Sequence, residues 1–379
     1  MKVCILTSVH IVWDTRIYHR EAQSLAQEGY RVTLIATGVD SEKTPFENIE
    51  IIGLKRPKHR LGRPLNWSHF LKAALKTKAD IYHFHDPDLL FVGLLIKLLS
   101  KRPVIYDCHE PYREAINERD WIPKPIRSIV GWSYDYTERI ISGFFSAVIV
   151  ANPSQQSHFP TAKLIQNFPK LEAFDFHKQP CRDSRQIAHL GLSSKVRGIT
   201  DLVEAGKLLS NRKIKFLLMG PFANESTRLM VEELKTDYKL EEAVECLGLV
   251  PYQQGIDLLT QSAIGVIPFR STPALRLIIP TKLFEYLACG LPVVVSDLPG
   301  ITPFVREADC GLVVPAENPQ AFAEAIAYLL DHPEEAKRMG ENGRRAVLEK
   351  YNWSGEAEKL LDLYRTLLNP APERLRSTE

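Results

Sequence analysis

The sequence predicts an α/β fold of two doubly wound, Rossmann-like parallel-sheet domains facing a cleft. Three observations carry this reading. A chain of 379 residues is too long for one ordinary core and suggests two domains. Short all-apolar runs such as "KVCILTS", "PVIYDCH" and "PVVVSD" have the form of strands buried on both faces. Helical patterns separate those runs, as right-handed βαβ units require.

The first half opens with the strand "KVCILTS", followed by an amphipathic helix "RIYHREAQSLAQEGY" that ends at Gly29. "RVTLIAT" is the next strand, "SHFLKAALKTK" a helix, "DIYHFH" a strand, "LLFVGLLIKLLS" a helix and "PVIYDCH" a strand. A long helical stretch from Pro125 to Phe145 leads to the strand "AVIVAN". These elements make an N-terminal Rossmann-like domain over 1–168. Residues 169–184, broken by Pro169 and Pro180, read as a linker. The alternation restarts with "QIAHLG" and runs through "KIKFLLMG", "VECLG", "IGVIPF", "PVVVSD" and "GLVVP", giving a C-terminal domain over 185–350. A helix over 351–368 is placed to pack back on the first domain, and 369–379 form a tail. In such sheets ligands bind at the carboxyl ends of the strands.

Composition excludes several classes. Apolar content of 45% and charged content of 25% are those of a soluble globular protein, expected in the cytoplasm. The six cysteines (Cys4, Cys108, Cys181, Cys246, Cys289, Cys310) include no CxxC, which argues against a zinc ribbon or a disulfide framework. "LLFVGLLIKLL" is interrupted by Lys97 and is too short to span a bilayer. No GxGxxG follows a first strand, and P-loop, GxSxG and HExxH motifs are absent.

The net charge of +2 hides an asymmetry. Residues 1–170 hold 23 Lys+Arg against 17 Asp+Glu, leaving 25 against 29 for the rest. Residues 51–79 carry eight cations (Lys55, Arg56, Lys58, Arg60, Arg63, Lys72, Lys76, Lys78) and no acid. That stripe suits phospholipid head groups or an anionic acceptor, with a solvated surface as the plain reading of the charge alone. An anionic membrane surface, with peripheral placement on the cytoplasmic membrane face, is the partner to test. Nucleic acid is not expected, since no base-stacking or groove-reading motif accompanies the charge.

The stretches "GLSSKVRGITDLVEAGKLL", "PTKLFEYLACGLPVVVSDLPG" and "CGLVVPAENPQAFAEAIAYLL" resemble the nucleotide-sugar-binding domain of family 4 retaining glycosyltransferases of the GT-B fold. "SLAQEGYRVTLI" and "DIYHFHDPDLL" extend the resemblance to nearly the whole chain. It implies that Glu285 accepts hydrogen bonds from the ribose hydroxyls, and that Lys195 and Arg197 meet the donor diphosphate. Thr281 and Lys282, at the start of the Glu285 helix, are further donor contacts, and amides there suit a β-phosphate. His109 is implied to support the developing oxocarbenium ion, making His109 and Arg197 the catalytic pair. The family's Glu-x7-Glu motif is altered: its first position is Leu277, in a Pro-x-Lys-Leu-x-Glu-Tyr variant, and Leu192 replaces a usual arginine.

His10, Asp14, Arg16 and Glu110 are candidate acceptor or cleft residues, although helix capping also accounts for Asp14. His83, His85, Asp86 and Asp88 offer metal-ligand chemistry. The GT-B resemblance and Pro87 instead favour a plain strand-to-helix loop, so neither a metal nor another cofactor is expected. The expected function is transfer of a hexosyl unit from a nucleotide diphosphate sugar to a saccharide or lipid-linked acceptor. A nucleotide-sugar epimerase and a non-catalytic sugar-nucleotide-binding protein are the alternatives.

Overall fold

The computed structural model describes residues 1–40, 42–44, 46–57, 59–109, 112, 116, 122–176 and 185–369. The chain divides into two compact units, 1–167 with 353–379, and 168–352.

The first unit holds an eight-stranded sheet of β1 (Lys2–Thr7), β2 (Arg31–Thr37), β3 (Glu42–Lys43), β4 (Ile49–Leu54), β5 (Ile81–Phe84), β6 (Val104–Cys108), β7 (Ala147–Val150) and β8 (Lys163–Leu164). Its order is β3-β4-β2-β1-β5-β6-β7-β8. Every pairing is parallel except the β3–β4 edge. Alternate residues serve opposite faces, because strand side chains have a period of two. Val3 and Ile5 join one core with Ile17, Leu25, Leu360 and Tyr364, while Cys4 and Leu6 join another with Phe70, Ile96 and Ile141. The helix Trp353–Leu368 therefore belongs to the first unit, pinned by Trp353 Nε1 donating to Ser24 Oγ at 2.9 Å.

The second unit holds a parallel six-stranded sheet of β9 (Gln186–Leu190), β10 (Lys215–Met219), β11 (Val244–Gly248), β12 (Ile264–Ile267), β13 (Val293–Ser296) and β14 (Gly311–Val314). Its order is β11-β10-β9-β12-β13-β14. Strand order reverses beside β9 in this sheet and beside β1 in the other, the switch points where doubly wound sheets take ligands. The α/β architecture of two parallel-sheet domains is thus as expected.

Three local features differ from the sequence reading. Phe168 and Phe174, in or beside the stretch read as a linker, are buried in the second unit's core. The strand "IEIIGL" was not anticipated, because charged and glycine residues interrupt its apolar pattern. The first helix is π-helical over Thr15–Ala22 and becomes α-helical only over Gln23–Gln27. Among the described residues no helix is long and apolar enough to cross a membrane. Five cysteines, Cys4, Cys108, Cys246, Cys289 and Cys310, are free.

Candidate functional site

In the second unit the site is assembled where β9 ends. The helix Thr281–Ala288 terminates in a Schellman arrangement, with Leu291 N donating to Tyr286 O at 2.9 Å and Gly290 N to Leu287 O at 2.8 Å. Gly290 has φ +72°, a left-handed conformation that a side chain disfavours. Tyr286 fixes the other face of the helix: Leu190 N donates to its hydroxyl at 2.7 Å. The start of the helix is thereby held beside the backbone that follows β9, and a Cβ built at Gly191 would lie 3.6 Å from Lys282 Nζ.

Lys282 and Glu285, one helical turn apart, are both buried, at 6% and 7% exposure. No hydrogen-bond acceptor reaches Lys282 Nζ. The ammonium lies 5.1 Å from the Phe269 ring centroid, and the Arg197 guanidinium carbon lies 5.7 Å from the same centroid. Burial, and then the positive charge of Arg197, push the Lys282 ammonium well below its usual range, with Glu285 opposing them. The two cations approach the same ring, Lys282 buried and Arg197 half-buried, so an anion entering there gains from both. His189 is fully buried on β9, and burial, then the charge of Lys282, hold its pKa well down.

The loop carrying Arg197 is shaped by Gly198, which opens the helix Ile199–Leu208 at φ +73°. A Cβ there would lie 1.7 Å from Pro268 O, so no larger residue fits. Lys195 lies on the same loop and is exposed, Thr281 is half-buried at the first position of its helix, and Leu192 is exposed. Leu277 belongs to a loop held by Gly300, whose amide donates to Arg276 O at 2.9 Å.

In the first unit the polar residues gather beneath the ends of β1, β5 and β6. Arg16 is buried and its donors are committed: Nε and Nη2 to Asp107 at 2.9 and 2.8 Å, and Nη1 to Ile165 O and Asn167. Its Nε also lies 2.9 Å from Glu21. A π-helix closes i to i+5, and His19 N reaches Asp14 O in that way, so Arg16 and Glu21 come over the same buried spot. Arg16, expected at an acceptor, is a buried structural cation here.

His109 directly follows β6, nearly buried, its Nε2 3.0 Å from His85 Nδ1 and its ring 5.0 Å from that of His10. Burial lowers its pKa to about 4 against the pull of Asp107. Burial would raise Asp107, but Arg16 and His109 hold it well below the usual carboxylate range. Burial also pushes Glu21 well up, despite Arg16. Arg16 with Asp107 is therefore the pair whose charges the surroundings favour, while burial opposes charge on His83, His85, His109 and Glu21. Asp14 caps the π-helix through the amides of Arg16 and Ile17, and its carboxylate lies 3.5 Å from His10 Nδ1. Burial alone would raise Asp14, but the His10 and Ile17 hydrogen bonds lower it. Glu110 lies outside the described residues.

The stretch "HFHDPDLL" divides in two. Asp86 accepts from Thr7 Oγ1, Ser8 N and Val9 N, and Asp88 from Ser8 Oγ, so both aspartates tie down the loop after β1. His83 and His85 face inward with Glu21 and Asp107, one ligand atom of each lying within 4.8 Å of the others. Arg16 already supplies positive charge to that group. Glu21 and Asp107 were not singled out from sequence, although each is an acid at a position where the apolar pattern calls for core.

Two family descriptions match the chain: Glycosyltransferase Family 4 over residues 15–160 and Glycosyl transferases group 1 over residues 172–346. The chain belongs to the GT-B glycosyltransferases. An uncharacterised glycosyltransferase of Methanocaldococcus jannaschii is 22% identical over 91% of this chain and 92% of its own length. The phosphatidyl-myo-inositol mannosyltransferase of Mycobacterium leprae is 22% identical over 76% of this glycosyltransferase and 74% of its own length. The Anabaena protein HepE, solved with UDP and glucose, superposes with a TM-score of 0.74 at 14% identity, covering 97% of this chain and 100% of its own.

Proposed function

We propose that this glycosyltransferase moves a hexosyl unit, with retention, from a nucleotide diphosphate sugar to a saccharide or lipid-linked acceptor in cell-surface polysaccharide or glycolipid synthesis. The observation that carries the reading is the buried, acceptor-less Lys282 ammonium paired with Arg197 beside the end of β9. A diphosphate would bring a partner of opposite charge to the Lys282 ammonium, and fixed cations lower the barrier to its departure. Glu285, three residues on, takes the ribose hydroxyls. Retention follows the family pattern: the acceptor attacks on the face the diphosphate leaves, and a β-phosphate oxygen takes its proton. HepE was solved with UDP and glucose, which makes a uridine nucleotide the first donor to try. The deciding experiment is a donor panel read by thermal shift and by release of nucleoside diphosphate.

Glu285→Ala is expected to weaken nucleotide binding by about 1–3 kcal/mol while the unit stays folded, the loss of charged hydrogen bonds. Calorimetry showing unchanged affinity in a folded variant would remove Glu285 from the donor site. Leu277, in place of the first motif glutamate, favours one second reading, a protein that binds the donor without transferring it. Donor binding with no diphosphate release for any acceptor would establish that alternative.

The reaction is proposed to need no metal, because Lys282 and Arg197 meet the leaving diphosphate. Activity in excess chelator should equal that in buffer. Loss restored by a divalent ion would implicate Glu21, His83, His85 and Asp107, the group able to offer ligands.

A cytoplasmic protein peripheral to the membrane is the proposed setting, and the name of the mycobacterial relative fits a lipid-linked acceptor. The eight cations of 51–79 supply the electrostatic part. Among them Lys55, Arg56, Lys72, Lys76 and Lys78 are exposed, and Lys58 lies outside the described residues.

A further inference from the structure

One layer of helices covers the face of the first sheet that carries Cys4 and Leu6. It consists of Trp67–Thr77, Leu90–Ser100 and Lys124–Ser142, with Leu90–Ser100 packed between the other two. The inner faces are ordinary core, with Phe70, Ala74, Val92, Ile96 and Ile141 buried. The outer faces are not ordinary surface. On Leu90–Ser100, Phe91, Leu95, Leu98 and Leu99 are exposed, Leu98 by 64%. On Lys124–Ser142, Ile129, Trp132, Tyr136 and Ile140 recur at helical spacing on the side away from the core, Ile129 being 66% and Trp132 58% exposed. The Trp132 and Tyr136 rings stack with centroids 5.7 Å apart. Single exposed apolar side chains are normal, whereas a continuous face on adjacent helices marks an interaction surface.

The charges choose the occupant. Lys72, Lys76, Lys124 and Arg139 are exposed on the three helices, and Lys101 and Arg102 follow the second. The only acids on these helices are Asp135, which is half-buried beside His158, and Glu138, which is buried and accepts from Tyr106 and Tyr134. A second copy docked symmetrically would bring this cationic rim against itself, with no exposed acid on these helices to pair it. An anionic bilayer surface satisfies both parts. Head groups take the cations, hydrocarbon takes Leu98 and Ile129, and the Trp132–Tyr136 pair suits the interface.

We propose that the outer face of the helices Leu90–Ser100 and Lys124–Ser142 inserts into an anionic lipid surface. This deepens the membrane reading given above and rests on it for the partner's chemistry. It moves the attachment from the charge stripe to an apolar face, so part of the binding should survive high salt, which screens exposed charges.

The test uses the full chain with vesicles of phosphatidylcholine alone or mixed with phosphatidylglycerol. The wild type should co-sediment with the mixed vesicles and keep a bound fraction in salt. Leu98→Gln combined with Ile129→Gln should lower partitioning at least tenfold, with soluble-acceptor turnover unchanged. A blue shift of tryptophan emission on binding should vanish in Trp132→Phe. Full binding by the double variant, with loss in Lys55→Glu/Arg56→Glu instead, would overturn the proposal in favour of the charge stripe. Absence of vesicle binding by an active wild type, or a dimer dissociated by the double variant, would also overturn it while leaving the transferase reading intact.

Discussion

Arg16→Met is expected to destabilise the first unit by about 3–5 kcal/mol, the typical result of leaving one member of a buried pair uncompensated. The reason lies in how thoroughly the guanidinium is used. It donates to Asp107, Ile165 O and Asn167 and lies against Glu21, within a fully buried cluster that also holds His83 and His85. With the cation gone, Asp107 must be buried as a bare anion or take up a proton, and Asn167 and Ile165 O lose their donor. Arg16→Met combined with Asp107→Asn removes both charges, so it should be less destabilising than the sum of the single changes. Denaturant titration of all four proteins would give a coupling of about 2 kcal/mol or more. Additive effects would mean that the two residues act separately and that the pair does not hold this corner together.

Arg16 also shows what sequence patterning conveys and what it withholds. Strand and helix order in both units was legible, because buried parallel strands are continuous apolar runs and the helices between them have a 3.6-residue period. The reading of Arg16 as a cleft residue failed on a local matter. A strand-to-helix loop at a sheet's carboxyl edge ordinarily carries functional side chains, and nothing in "WDTRIYHREA" announces a π-helical turn. That turn rotates Arg16 inward, onto Glu21 and the distant Asp107. Asp14 was legible as a cap because its position before the helix satisfies free amides whatever the partner. The apolar outer face of Lys124–Ser142 was hidden for a different reason. A stripe of Ile, Trp and Tyr at helical spacing reads as core, and only the fold reveals that this helix turns Gly131, Glu138 and Ile141 inward instead. Lys282 was assigned from resemblance, but its burial could not be read from its neighbours.

Lys282→Met is expected to make the protein more stable and less functional together. The ammonium is desolvated in the free protein and repelled by Arg197, with no hydrogen-bond acceptor in reach. Methionine keeps most of the stem and its packing against Phe269 while removing the charge, so about 0.5–2 kcal/mol of stabilisation is the natural scale. Thermal denaturation should show a rise in Tm without nucleotide. The same variant should lose the ligand-induced part of its stability, because a charge-assisted contact to phosphate contributes about 1.5–3 kcal/mol, and turnover should fall by about 10²–10³-fold. The opposed signs are the point of the experiment. A merely structural lysine would lower Tm when replaced and leave the shift induced by nucleoside diphosphate unchanged, and that outcome would remove the anion-binding role from Lys282. A rise in Tm with nucleotide binding intact would make it a dispensable buried charge. Only stabilisation of the free protein together with loss of the diphosphate response identifies a cation held in readiness for the donor.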